Sequence, residues 1–301
     1  MKFKTKFMTL CVLAAGLCLS LVCGLFYSYR GFESRSARSL SDFLKTGNIH
    51  ELVFSSGGRT VRLRTQQPPL TAGRTWSVEI DGQDYPAAWN KVDRFLELVD
   101  EASVSPALTE SRERWPLFAL EDPAENRVVF SGASGNTEIL FGKEEEAGRG
   151  QYIRFAGSDT VYLLSQSLSY YAGQDSAYWS ELRVFPAALN TQDIVAMKAE
   201  GTASLPSGSA AVSWNLYKDR TVAGLLWLAE GEPDKKLDQT KVDTLAASIS
   251  QINAKSFTPI AEPEETGALL TLSAANQTRY ELRIGAAVPG GNYCRASVNG
   301  E

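Results

Sequence analysis

The chain has 301 residues, 44% of them apolar and 22% charged, with a net charge of −5 at neutral pH. That apolar share suffices for a buried core and excludes wholesale disorder. Lys and Arg are interspersed with Asp and Glu, so the basic stripe that nucleic-acid binding needs is missing.

Lys2, Lys4 and Lys6 precede Phe7 to Tyr29, a run of 23 residues without a charge. As a helix it would be about 35 Å long, which covers a hydrocarbon core of about 30 Å. Residues 1–29 therefore read as a cytoplasmic tip and an N-terminal transmembrane helix, a single-pass anchor in the cell membrane with the remainder extracytoplasmic. Arg30, Arg35 and Arg38 beyond the run oppose that charge asymmetry. A cleaved signal peptide would have a shorter apolar run and a small-x-small site, for which Val22-Cys23-Gly24 is a poor match. Lipidation would need a small residue where Leu17 and Val22 precede Cys18 and Cys23. Cys294 is then the one cysteine of the globular part, which can form no disulfide of its own.

Within the juxtamembrane segment 30–47, Ser36 to Lys45 reads as a short amphipathic helix with Leu40, Phe43 and Leu44 on one face. Beyond it the chain repeats itself loosely, a first unit over 48–187 and a second, shorter at its C-terminus, over 188–301. The firmest match is a helix. Pro86 to Ala102 carries Trp89, Val92, Phe95, Leu96, Val99 and Ala102, and Leu237 to Ala254 carries Val242, Leu245, Ala246, Ile249 and Ile252, at an offset of 150 from Val92 onward. Each set marks one apolar stripe. Lys91-Val92-Asp93 and Lys241-Val242-Asp243 also agree in identity.

Before each helix stands an extended stretch with a tryptophan, Trp76 or Trp227; after each comes a hairpin. The hairpins are Arg127–Ser131 with Thr137–Phe141 around a turn at Gly132–Gly135, and Leu269–Ser273 with Arg279–Ile284 around Asn276-Gln277. A strand opening Gly-x-Tyr-x-Arg follows in both, at Gly150–Arg154 and Gly291–Arg295. Phe185–Asn190 reads as the connector and Gly201–Ala210 as a Ser/Gly/Pro-rich loop. The expected class is α+β: two repeated units, each a mostly antiparallel sheet with one amphipathic helix packed on it.

The search for chemistry yields no catalytic residues, cofactor site or metal site. His50, the sole histidine, opens a strand, and Glu144-Glu145-Glu146 reads as a solvated hairpin tip rather than an alternating calcium loop. The nucleophile elbow, the zinc motifs and the phosphate loop are missing. The one candidate binding surface is the aromatic run Tyr170, Tyr171, Tyr178 and Trp179, which could bind sugar or peptide or could close the first domain's core.

Trp115-Pro-Leu-Phe-Ala-Leu-Glu-Asp-Pro123, Ile139-Leu-Phe-Gly142, Tyr152-Ile-Arg154 and Val161-Tyr-Leu-Leu164 together resemble the bacterial family called domain of unknown function 4340. The chain departs from that pattern at Ala119, where the family usually has glycine. The resemblance implies an extracytoplasmic accessory or scaffold protein, non-enzymatic, whose partners are the membrane and an ABC-type transporter of the gliding-motility type or a cell-envelope assembly. The other expectation is a ligand-binding module for envelope polysaccharide or peptide, using a cleft between the domains or the aromatic run.

Overall fold

The computed structural model describes residues 20, 37–44, 49–65, 76–122, 125–186, 188–205, 208–219, 226–232, 234–257, 267–287 and 294–298. Apart from Ser20, the expected anchor lies outside the described residues, as does Gly291–Tyr293 of the second repeated motif. The chain divides into two compact units, Met1–Ser180 and Glu181–Glu301.

The first unit is built on ten antiparallel strands: β1 (Arg38–Ser39), β2 (Ile49–Ser56), β3 (Arg59–Thr65), β4 (Trp76–Ile80), β5 (Gln83–Pro86), β6 (Ser103–Val104), β7 (Asn126–Gly132), β8 (Gly135–Glu144), β9 (Gln151–Phe155) and β10 (Val161–Leu164). Their order across the sheet is β1-β6-β10-β9-β8-β7-β2-β3-β4-β5. At the centre, β2 pairs with β7 in the register Leu52↔Phe130 and Phe54↔Val128, and all four side chains are fully buried. The period of two sends alternate residues to the opposite face, where Arg62 and Arg64 each bridge Glu51 and Glu79 at 3.1–3.5 Å. The helix Trp89–Glu101 adds Val92, Phe95 and Val99 to the core that Leu52, Phe54 and Phe130 begin.

The second unit holds β11 (Ile194–Leu205), β12 (Gly208–Asp219), β13 (Leu226–Ala229), β14 (Ala268–Ala274), β15 (Arg279–Ala287) and β16 (Cys294–Val298). Their order is β13-β12-β11-β14-β15-β16. Its helix, Gln239–Ser250, contributes Val242, Ala246 and Ile249 to a core with Met197, Trp227 and Leu272. Asp238 caps that helix by accepting from Lys241 N. The six strands follow the same order as β4-β3-β2-β7-β8-β9 of the first unit.

These observations correct the expected class. The fold is mostly β rather than α+β, because each unit sets a single helix of 13 or 12 residues against ten or six strands, and the other α-helices among the described residues are single turns of four. The regular stripes of the two long helices stand out in the sequence over many short strands with weaker patterns. No helix among the described residues is long and apolar enough to cross a membrane, so the expected N-terminal transmembrane helix has no counterpart there.

Local expectations shift as well. Of the expected helix Ser36–Lys45 residues 37–44 are described, and among them Leu40–Phe43 is helical; Arg38–Ser39 instead pairs with β6, and Leu40 and Leu44 are buried in the core. The segment expected as a loop at Gly201–Ala210 supplies the ends of β11 and β12, paired from Gly201↔Val212 to Leu205↔Gly208.

Candidate functional site

The aromatic run forms two single-turn helices, Ser169–Ala172 and Ser176–Trp179, the second capped by Asp175, whose carboxylate accepts from Tyr178 N at 2.8 Å. The cap fixes the start of the helix that carries Tyr178 and Trp179. Trp179 turns inward and is fully buried, stacked 4.7 Å from Phe54 and edge-on to Phe95 at 6.0 Å. Its carbonyl accepts from Ala88 N at 2.7 Å, which ties the run to the start of the Trp89–Glu101 helix. Tyr171 is half-buried, 5.2 Å from Phe95.

Tyr178 and Tyr170 face outward. Tyr178 is half-buried, edge-on to Trp179 at 5.1 Å and to Tyr170 at 6.2 Å. Burial, and after it the neighbouring Tyr171 and Tyr170, push its phenol above the usual tyrosine value. Lys91 reaches across from the helix, donating from Nζ to Tyr178 O at 2.5 Å with its ammonium 4.4 Å above the Tyr178 ring. Tyr170 is 59% exposed.

Of the four residues singled out from the sequence, Trp179 belongs to the core, and Tyr170 and Tyr178 give the surface. One contributor was missed: Lys91 supplies the cation. Trp89, expected on the buried stripe, is 63% exposed at the first position of its helix. Periodicity sets the phase of a stripe but not how far the sheet beneath extends, so it could not separate Trp89 from Val92. The rings and the ammonium offer apolar area with polar rims, which suits binding rather than proton transfer.

Elsewhere, His50 is exposed on β2. The acidic run is not uniformly solvated: Glu145 folds back to accept from Arg149 Nη2 at 2.7 Å and from the backbone N–H groups of Ala147 and Arg149, which lowers its carboxyl to about 2. Among the described residues no three His, Cys, Asp or Glu side chains converge to hold a metal ion. Cavities open on the surface of both units. One, of about 350 Å³ in the second unit, is lined by Arg183 and the amides of Asn190, Gln251 and Asn253; another, of about 430 Å³ in the first unit, lies beside Arg154.

Compared with known proteins, residues 76–269 match the family described as Domain of unknown function (DUF4340), from Trp76 on β4 to Leu269 on β14 and so over more than half of the chain. No curated protein and no solved structure matches it.

Proposed function

The chain belongs to the DUF4340 family, and we propose that it is a non-enzymatic accessory or scaffold protein of the cell envelope that works with an ABC-type transporter. The observation that supports this reading is the outward aromatic face of the first unit, where Tyr170 is left more than half in solvent beside Tyr178, whose ring carries the Lys91 ammonium. Large rings exposed next to a fixed cation are the composition of interface anchors. On the same reading both units lie outside the cytoplasm.

Pull-down of the full-length chain from detergent extract should recover transporter membrane subunits. The variant Y170A should lose them while keeping its melting temperature. Equal recovery by variant and parent, or recovery of no transporter subunit, would overturn the reading. A second reading, a module for envelope polysaccharide or peptide, is favoured by the open ring of Tyr170; calorimetric titration with envelope glycans that gives the same heat for Y170A as for the parent would remove it.

A further inference from the structure

We propose that the cavity beside Arg154 is a binding site for a carboxylate, occupied at rest by the protein's own Asp122. The site is separate from the aromatic face and does not depend on the function proposed above.

The first element is a cation that cannot leave. β9 turns the Arg154 side chain inward, where it is 4% exposed. Its Nε donates to Leu120 O at 3.2 Å, and the guanidinium carbon lies 3.9 Å over the Trp115 ring, so both the plane and the direction of the fork are set. Trp115 is itself held, donating from its indole nitrogen to Asp159 O at 3.0 Å. A guanidinium has five N–H donors and does not lose its proton. One goes to Leu120 and one from Nη2 to Asp122. The others have no acceptor among the described residues, and Arg154 lines a cavity of about 430 Å³.

The second element is an anion that can leave. The Asp122 side chain is 64% exposed, so it gives up little burial when it swings into water, whereas Arg154 without a partner would be an uncompensated buried charge. What replaces Asp122 must therefore be an anion with two acceptors in a plane, the geometry a guanidinium fork recognises.

The third element decides which anion. Besides Asp122 and Arg154, the cavity is lined by Arg127 and Glu138, which pair with each other at 3.4 Å. A singly charged carboxylate that displaces Asp122 keeps the lining balanced. A phosphate dianion brings excess negative charge next to Glu138. The ligand class is accordingly a monocarboxylate, either a small acid or the carboxylate end of a peptide.

The test uses the full-length chain, with the Arg154 Nε–H resonance as the reporter. N-acetylglycine should shift that resonance saturably and N-acetylglycinamide should not. Asp122→Asn should tighten N-acetylglycine about tenfold, as expected where Asp122 fills the site about nine-tenths of the time. A blocked dipeptide acid binding more tightly than N-acetylglycine would identify a peptide end as the source; equal binding would identify a small acid. The proposal is overturned if the amide binds as well as the acid, if inorganic phosphate binds more tightly than either acid, or if Asp122→Asn leaves the affinity unchanged. Failure of Asp122→Asn to fold would overturn it too, since Asp122 would then be a structural partner rather than a displaceable one.

Discussion

Replacing Gly142 with alanine probes the wall on which Arg154 depends. Gly142 lies in β8, and a Cβ built there would stand 2.1 Å from Phe118 O and 2.9 Å from Leu120 Cγ. A carbon meets a carbonyl oxygen at about 3.3 Å, so the turn carrying Phe118 and Leu120 must retreat by roughly 1.2 Å. The Leu120 carbonyl would take with it the 3.2 Å hydrogen bond from Arg154 Nε. Overpacking of this kind costs about 1–3 kcal/mol, and a lost hydrogen bond from a charged group about 1.5–3 kcal/mol. Taking about 3 kcal/mol together, and roughly 2–4 °C per kcal/mol for a unit of this size, Gly142→Ala should lower the first unit's melting transition by about 6–12 °C. Differential scanning calorimetry of the full-length chain reads this directly, with the second unit's transition as internal reference. A shift under about 2 °C, within the range of neutral surface changes, would refute the claimed close approach.

Three further outcomes are expected. Ala119 ends the Trp115–Phe118 turn at φ 54°, the left-handed region, which costs an L-residue about 1–2 kcal/mol, so Ala119→Gly should stabilise by roughly 0.5–1 kcal/mol after glycine's greater unfolded freedom is counted; a lower urea midpoint would contradict this. Glu145, held at about 2 first by the Arg149 side chain, contributes stability that is complete above its unfolded value near 4.3 and is lost as the pH falls towards 2. Carboxyl NMR should show that low midpoint and its return towards 4.3 in Arg149→Ala; a parent midpoint already near 4 would disprove the contact. Asp243 accepts from the indole N–H of buried Trp227 at 2.8 Å, so Asp243→Ala should cost about 1–2 kcal/mol in denaturant unfolding, and a change below about 0.5 kcal/mol would show that water replaces it freely.

Much of the strand pattern was legible. The Gly132 and Gly135 signals lie at the end of β7 and the start of β8, and the positions Val92, Phe95 and Val99, with Val242, Ala246 and Ile249, are the buried faces of their helices. Trp89 and Leu245 share those stripes yet are exposed: Trp89 stands at the first position of its helix, and Leu245 lies about 60° round the helix from Val242, at the edge of the buried stripe. The aromatic run resisted reading for a related reason: two single-turn helices have no period, and the density of rings does not say which of them turns inward. Arg154 was visible only as part of a repeated motif. Its role rests on Leu120 and Trp115, which are remote in sequence and meet it only once β8 and β9 are paired. Ala119 stands in the left-handed region at φ 54°, a conformation that favours glycine, which fits the glycine that the resemblance implies at this position.

The common strand order of the two sheets bears on how the chain is made. In each unit the central ladder joins a strand before the helix to one after it, β2 to β7 and β11 to β14, so a nascent unit displays an unpaired inner edge until the later strand is synthesised. Loop closure over so many residues slows that pairing. Since β7 and β14 hold equivalent places in the two sheets, β14 is the natural competitor for an open β2 edge. Vectorial synthesis removes the ambiguity by completing the first unit before β14 exists. Refolding of the whole chain from denaturant releases both strands at once, and cross-paired, aggregation-prone species are the expected by-product.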